Sequence, residues 1–291
     1  MEDMPASTVT RCHLRWLIAA AVTLALLAAV VPAPARAAVT LGQLAPFSPA
    51  PDCDPTRDYL QPSITGGNLY IARQAGTITS WSTRSSGAGA TYVFKVFRRT
   101  TDPDVFTVVA RASSRTLTAG INTVPVNIAV RSGDMIGLNE SGISNSCTFL
   151  QPGDGVLSRS GDLTLGASGT FAPQNDVRLN LSAVLVPSNH FAIVAVTRDR
   201  KRGSAKVIVN VSNPGVLRMT GKGLKKRVTK NVAVARTVHF QIASAGARKR
   251  KLERTGKVTL IPTLTFTPTG GDPVSKPFTA KLRKRKAAPP A

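Results

Sequence analysis

Histidine, cysteine and acidic residues are scarce in this chain of 291 residues. It has three His and three Cys, and 15 Asp and Glu stand against 38 Lys and Arg. Of the histidines, only His190 and His239 follow the apolar segment near the N-terminus, and both are expected at the surface. Because neither belongs to a nucleophile-elbow or His-Glu-x-x-His pattern, we predict no catalytic residue and no enzyme activity.

Two partial ligand motifs also fail. Residues 215–222 resemble a phosphate loop, but the glycine spacing is wrong and Gly223 stands where Ser or Thr is required. Asp52, Asp54 and Asp58 lack the Gly and the bidentate Glu of an EF-hand, so that a solvated acidic loop beside Cys53 is favoured over a calcium site. We therefore predict no cofactor and no metal.

Aromatic residues make up only 5% of the chain, and Trp81 is the sole tryptophan beyond residue 37. Strand alternation would place it with Thr77 and Thr79, opposite Ile78 and Ser80. A tryptophan on a mostly polar face has two interpretations. The favoured one is packing at a sheet edge. The other is stacking on a sugar ring, with Tyr59 and Tyr70 as companions.

Only one long hydrophobic run is present, at residues 17–31, and it is followed by Pro-Ala-Pro-Ala-Arg-Ala. Arg11 and Arg15 precede it. A basic start, an apolar run of about 15 residues and an Ala-x-Ala ending predict a signal peptide over residues 1–37, cleaved before Ala38. The alternative is a retained membrane anchor, although a spanning helix needs about 20 apolar residues. The predicted location is therefore secreted or attached to the cell surface.

The cysteines agree with export. Cys12 precedes the apolar run and would leave with the signal peptide, so that Cys53 and Cys147 remain. Two cysteines in an oxidising compartment predict a disulfide. Two thiols without a nearby histidine are too few for a structural zinc site.

Charge divides the chain abruptly. Residues 38–186 contain 11 Lys and Arg and 10 Asp and Glu, a net charge of +1, whereas residues 187–291 contain 24 and three, a net charge of +21. Such a step predicts a domain boundary, which we place at residues 187–189. The expected organisation is a domain at 38–186 that contains the disulfide, a basic domain at 188–286 and a disordered tail at 287–291.

Both predicted domains are all-β. Short segments with alternating apolar residues and turn clusters recur along the chain, including turns at residues 100–104, 131–134 and 151–155. We predict a jelly-roll-like β-sandwich followed by an immunoglobulin-like β-sandwich. Residues 247–254 are the one segment where a short helix is expected.

Four basic clusters lie in the second half, at residues 198–202, 225–227, 248–251 and 281–286. The residues predicted to bind a polyanion are Lys201, Arg202, Lys225, Lys226, Arg227, Arg248, Lys249, Arg250, Lys251, Arg283, Lys284, Arg285 and Lys286. So much charge of one sign costs self-repulsion, which a polyanion would relieve. Because export disfavours nucleic acid, the expected partners are anionic wall polymer, acidic polysaccharide or lipid headgroups. The alternative function is a secreted carbohydrate-binding module acting through the N-terminal domain.

Several strand-and-turn motifs carry a resemblance. In the first half they lie at residues 76–81 (GTITSW), 131–138 (RSGDMIGL) and 168–173 (SGTFAP), and in the second at 221–223 (GKG) and 265–271 (TFTPTGG). The chain resembles secreted two-domain β proteins of high-GC actinobacteria with a basic second domain. The resemblance implies export and the β fold, and it transfers no functional residue.

Overall fold

The structure, a computed structural model, describes residues 37–47, 53–142 and 147–285. The predictions of a signal peptide at 1–37, of a role for Lys286 and of a disordered tail at 287–291 therefore fall outside the described residues, apart from Ala37. The described chain is all-β, with several open antiparallel sheets and one short helix. Within it, no helix is long and apolar enough to cross a bilayer.

Residues 37–187, which we call the N-terminal region, fold into two sheets. The smaller has the order β1-β12-β3-β7, and the larger has the order β10-β5-β4-β8-β2-β9-β11 with β6 added beside β4. The strands are β1 (Val39–Gln43), β2 (Arg57–Ser63), β3 (Gly76–Ser85), β4 (Thr91–Arg99), β5 (Val105–Arg111), β6 (Arg115–Thr116), β7 (Gly120–Val130), β8 (Met135–Ser141), β9 (Thr148–Ser160), β10 (Ser168–Thr170), β11 (Ala172–Leu179) and β12 (Leu181–Pro187).

The two sheets face each other across a shared core. Trp81 from β3 stacks on Phe94 from β4, with ring centroids 5.8 Å apart. A second, smaller apolar cluster lies on the other face of the larger sheet, where Phe171 meets Phe97 and Phe106 edge to face. The larger sheet is therefore covered on both faces.

Residues 188–285, the C-terminal region, have a core of their own built on Phe191, Phe240 and Phe266. The sheets have the orders β13-β14-β17, β16-β15-β19-β20 and β18-β21. The elements are β13 (Phe191–Asp199), β14 (Ser204–Val211), β15 (Gly215–Thr220), β16 (Val228–Val232), β17 (Arg236–Ala243), α1 (Gly246–Thr255), β18 (Lys257–Leu260), β19 (Thr263–Pro268), β20 (Val274–Pro277) and β21 (Ala280–Arg283). The expected short helix is confirmed as α1.

The two regions meet at a seam of direct hydrogen bonds, and residues from Ala37 onward belong to one compact unit. Fully buried Asn213 accepts a hydrogen bond from the backbone N–H of Ala75 at 2.8 Å. Its amide donates to the carbonyls of Ala75 and Ser188, at 2.8 and 2.6 Å. Gln74 donates to the carbonyl of Thr269 at 2.7 Å. The connection at residues 187–189 is thus reinforced by side chains from both regions.

One turn prediction is wrong. Residues 151–155, with the sequence Gln-Pro-Gly-Asp-Gly, lie inside β9 and do not reverse the chain. Strand β11 pairs with β9 on both sides of this segment and absorbs the irregularity in a register shift between Asn175 and Val177. Gly153 supplies a positive φ of 80° there. The glycine and proline thus mark a distortion within paired strands.

Candidate polyanion-binding site

The strands of the C-terminal region carry the basic clusters to the end farthest from the seam. In the β13–β14 pair, Phe191 faces Val211 near the seam and Asp199 faces Ser204 at the far end. Strand β17 also reaches that far end, where Ala243 faces Ser204. We use the term basic end for the loops and helix at this far end, comprising residues 200–203, 221–227, 246–257 and 283–285.

Backbone contacts join these segments although they are distant in sequence. The N–H of Arg285 donates to the carbonyl of Arg200 at 2.9 Å, and the N–H of Lys284 donates to the carbonyl of Gly256 at 2.9 Å. Lys225 is held in the same way, through its N–H and the carbonyl of Ala243 at 2.8 Å. Within the described residues, all four predicted basic clusters therefore lie at or beside one end of the C-terminal region.

Helix α1 is anchored by one apolar side chain, and its charged side chains are exposed. Leu252 is its only buried residue, and the helix ends at Gly256, whose N–H donates to the carbonyl of Leu252 at 2.8 Å. Gly256 has a φ of 69°, the left-handed conformation that glycine adopts without strain. The exposed cations of α1 are Arg248, Lys249, Arg250, Lys251 and Arg254.

A groove of about 270 Å³ opens between α1 and the β18–β21 pair. Its charged lining residues are Arg248, Lys251, Lys257, Lys281 and Arg283. Lys257 belongs to none of the four clusters, and it enters the groove because it faces Arg283 directly across the two strands. Like charges in opposite cross-strand positions are unfavourable, so that this pair raises the energy of the unoccupied groove.

Few carboxylates balance the basic end. Lys284 contacts Glu253 at 2.6 Å, and Arg202 lies 3.9 Å from Asp199. Among the described residues, no other cation of the basic end lies within 4.0 Å of a carboxylate. Apart from Lys284, which is half-buried and paired with Glu253, the cations of the basic end are exposed to solvent and available to an anion.

Trp81 does not face a ligand, which corrects the sugar-stacking interpretation. Its side chain is fully buried, because Thr79 forms a bulge at which the pairing of β3 shifts against both neighbouring strands. The bulge puts Trp81 in phase with Ile78. Tyr59 and Tyr70 are also buried, and burial raises the pKa of Tyr59 to about 12. None of the three rings is available to stack on a sugar.

The disulfide between Cys53 and Cys147 is present, which confirms that prediction. Glu140 lies beside it, but the two sulfur atoms are committed to each other. The acidic loop differs from expectation. Asp54 pairs with Arg57 at 3.2 Å, whereas Asp58 is buried and is not solvated. Asp52 lies outside the described residues.

Lys95, a buried cation of the N-terminal region, is surrounded by protein acceptors. The ammonium group of Lys95 is 2.5 Å from Asp58, 2.5 Å from Asp162 and 2.9 Å from the carbonyl of Leu163. These three acceptors match the three donor positions of an ammonium group, so that the protein itself satisfies Lys95. Burial raises the pKa of Asp58, although hydrogen bonds from Lys95, Leu163 and Asn139 oppose the rise.

A second buried network joins Asp154 to Arg178. Thr65 donates to the same carboxylate through its N–H and its hydroxyl, each at 2.7 Å. Burial alone would raise the pKa of Asp154. The hydrogen bonds from Arg178 and Thr65 lower it by a larger amount, so that the pKa lies below the ordinary value of 3.8. Elsewhere, His190 and His239 are exposed, as expected.

Comparison with known proteins adds no family: no protein-family model matches the chain, and no curated protein matches it.

Proposed function

We propose that this is an exported, non-enzymatic protein that binds an anionic polymer of the cell envelope through its basic end. The observation that carries the proposal is the convergence of four separate cationic segments at one end of the C-terminal region, where two of them, together with Lys257, line a groove. The resemblance to secreted actinobacterial proteins and the N-terminal signal-peptide pattern support export. We also propose that the N-terminal region is a jelly-roll-like β-sandwich and that the C-terminal region is an immunoglobulin-like β-sandwich.

The physical reason is the relief of repulsion. Lys257 and Arg283 face each other on the solvent side of β18 and β21, with Lys281 in the same groove. A polymer with regularly spaced negative charges can neutralise several such cations at once and release its own counterions. The resulting affinity depends steeply on salt concentration.

Anionic wall polymer is the partner we favour, with acidic polysaccharide and lipid headgroups as related ligands. Single-stranded nucleic acid is normally held by aromatic platforms in addition to cations. Three phenylalanines of the C-terminal region, Phe191, Phe240 and Phe266, are buried in its core. These three rings cannot stack on bases, and Phe278 is partly buried against the same core, which supports a partner recognised by charge.

The test is co-sedimentation of residues 38–291, the expected mature chain, with purified cell wall over a salt series. We expect retention at low salt and release as salt rises. In parallel, inorganic polyphosphate, polygalacturonate and phosphatidylglycerol vesicles identify which anionic group competes best. Binding that is indifferent to salt, or no binding to any of these, would overturn the proposal.

A matched pair of double variants locates the site. Lys257→Ser with Arg283→Ser removes two charges from the groove, whereas Arg218→Ser with Arg236→Ser removes two exposed charges elsewhere in the C-terminal region. We expect the first pair to lower the slope of log affinity against log salt by about 1.5, as two lost phosphate contacts would. Equal losses in both pairs would show that net charge, and not the groove, determines binding.

A further inference from the structure

The groove at the basic end has two walls, and both carry cations. Helix α1 supplies Arg248 and Lys251, which are three residues apart and therefore lie on one face of the helix. Strands β18 and β21 supply Lys257, Lys281 and Arg283. A ligand that enters the groove is thus flanked by positive charge on two sides.

The strand wall holds its side chains at regular spacings. Lys257 faces Arg283, and Thr259 faces Lys281 two residues further along. Residues two apart on one strand lie on the same face about 7 Å from each other, and paired strands are about 5 Å apart. Three cations and the hydroxyl of Thr259 therefore project from the four corners of one rectangle, and all four residues are exposed.

The helix wall is placed by a close packing contact. The stem of Arg248 crosses Gly223, where an added Cβ would lie 2.5 Å from the Cγ of Arg248. Gly223 has a φ of 79°, which glycine adopts without strain. Glycine at this position therefore lets the Arg248 stem lie against the 221–227 segment, beside the groove that it lines.

The protein leaves the five cations of the groove without anionic partners. Among the described residues, no carboxylate lies within 4.0 Å of any of them, because the ion pairs of the C-terminal region involve Lys284 and Arg202. No acidic residue of the described chain lines the groove. Repulsion among the five cations is therefore unrelieved until an anion enters.

The volume of the groove limits which anion can balance this charge. At about 270 Å³ it is slightly smaller than the roughly 300–1,000 Å³ of typical small-molecule sites, so that it admits only a short segment of a polymer. A polyuronate carries one carboxylate on each sugar ring, and such a segment brings few charges. A polymer with a charge on each small repeat unit brings several into the same space.

The presence of cations on two walls favours phosphate over carboxylate. A carboxylate presents two acceptor oxygens in one plane, on the side away from its carbon chain. The oxygens of a phosphate group are arranged tetrahedrally, so that one phosphate can accept hydrogen bonds from α1 and from the strands together. The guanidinium groups of Arg248 and Arg283 suit such oxygens because each can bind two of them.

Resting on the proposed function of the basic end, we propose that its groove selects a polymer by its phosphate groups, with phosphate oxygens bridging the helix wall and the strand wall. Thr259 adds a hydroxyl donor to the strand wall. A carboxylate polymer of equal charge reaches one wall at a time and binds more weakly. The ligand is a chain because a chain can lie within the groove, whereas headgroups of a bilayer are presented from a flat surface.

Isothermal titration calorimetry of residues 38–291 tests the proposal with two polymers of matched charge spacing. Inorganic polyphosphate and polyacrylate each carry one negative charge per two backbone atoms, and both are ionised at pH 8. At equal salt concentration we expect polyphosphate to bind about tenfold more tightly, the effect of about one additional charge-assisted hydrogen bond. Equal affinity with a steep salt dependence would overturn the phosphate selection and leave the polyanion proposal standing, whereas no binding of either polymer would overturn both.

A matched pair of double variants assigns the selection to the helix wall. Arg248→Gln with Lys251→Gln removes two cations that line the groove, and Lys249→Gln with Arg250→Gln removes two exposed cations of the same helix outside the lining. We expect the first pair to lower the ratio of the two affinities from about ten to about one. The second pair should weaken both polymers by the same factor and keep the ratio.

A ratio that survives in Arg248→Gln with Lys251→Gln, or that falls equally in the control pair, would contradict the proposal. Both double variants have the same net charge, so that a difference between them does not arise from overall attraction. Circular dichroism checks that both are folded, as expected for exposed substitutions. Phosphatidylglycerol vesicles complete the test, because tighter binding to vesicles than to polyphosphate at equal phosphorus concentration would indicate a lipid surface and overturn the polymer assignment.

Discussion

The two regions of this molecule differ in where their charges lie: the N-terminal region buries several and pairs them, whereas the C-terminal region exposes most of its charges. In the N-terminal region, Lys95, Arg178 and Asp134 are buried and each is joined to an opposite charge, Asp134 through two hydrogen bonds from Arg98 at 2.7 and 2.9 Å. In the C-terminal region, the two ion pairs among the described residues are both at the surface.

The difference shows what each set of charges can do. A buried ion is tolerated only with its partners in place, so that it fixes one arrangement of the strands around it. An exposed cation with no carboxylate near it costs little to move and is free to meet an outside anion. The N-terminal region uses charge to hold its strands in one arrangement, whereas the C-terminal region leaves most of its charge exposed to solvent.

Among the changes considered, removing the disulfide should have the largest effect, because it lowers the free energy of unfolding of the N-terminal region only. Cys53 and Cys147 are 94 residues apart, and both belong to the N-terminal region. The chain-entropy model gives a loss of about 4–5 kcal/mol for Cys53→Ser with Cys147→Ser. Trp81, the only tryptophan beyond residue 37, reports unfolding of this region alone through its fluorescence in a urea titration. An unchanged fluorescence midpoint would contradict the prediction.

Breaking the Lys95 network should be nearly as damaging. Lys95→Met leaves Asp58 buried without its cation, at a cost of about 3–5 kcal/mol in the free energy of unfolding. The same substitution at exposed Lys257 should change stability by less than about 0.5 kcal/mol. Urea titrations followed by Trp81 fluorescence and by circular dichroism compare the two variants.

A second substitution tests the cause. If the cost in Lys95→Met arises from the stranded carboxylate, adding Asp58→Leu should recover a large part of it, because an apolar pair avoids the desolvation penalty. No recovery in the double variant would assign the loss to packing.

Acid should weaken the N-terminal region through Asp154. Its folded pKa lies below 3.8, so that the folded state binds fewer protons than the unfolded state in that range. Its contribution is complete above the unfolded pKa and is lost as the pH falls through 3.8 towards the folded pKa. We expect Asp154→Asn to lower stability by about 1–3 kcal/mol at pH 7 and to flatten the loss between pH 4 and pH 2. Asp104→Asn, at an exposed turn residue, should keep the parent pH profile.

The smallest expected effect lies at the basic end. Lys249→Gln with Arg250→Gln removes two exposed like charges of α1 and should stabilise the protein by a few tenths of a kcal/mol at low salt. Because salt screens exposed charges, the gain should vanish at about 1 M NaCl. Thermal unfolding by circular dichroism measures it, and a gain that persists at high salt would rule out repulsion as its origin.

Much of the fold is visible in the sequence because one face of most strands is buried. In β7, Val124, Val126 and Ile128 alternate with exposed neighbours, as the two-residue period predicts. The charge step at residue 187 likewise separates the regions that hold paired and unpaired charge. Strand alternation is a local property and net charge is a sum over residues, so that both can be read from the sequence without knowing which strands pair.

The features that the sequence hides depend on pairing between distant strands. The bulge at Thr79 places Trp81 on the buried face of β3, and threonine at that position does not predict a bulge. Lys95 looks like any exposed lysine until Asp58 and Asp162 are brought beside it. At the candidate site, the four clusters are evident in the sequence, but the position of Lys257 opposite Arg283 follows only from the register of β18 and β21.

The hydrogen bonds that Asn213 forms with Ala75 and Ser188 at the seam, which we call the Asn213 clamp, have a mechanical consequence. The clamp holds one end of the C-terminal strands and the cations occupy the other, so that tension between an immobilised polymer and the N-terminal region would run parallel to β13, β14 and β17. Antiparallel strands pulled lengthwise are loaded in shear, and their hydrogen bonds resist together instead of opening one after another. If the proposed binding at the basic end holds, the C-terminal region would act as a stiff tether between the polymer and the N-terminal region.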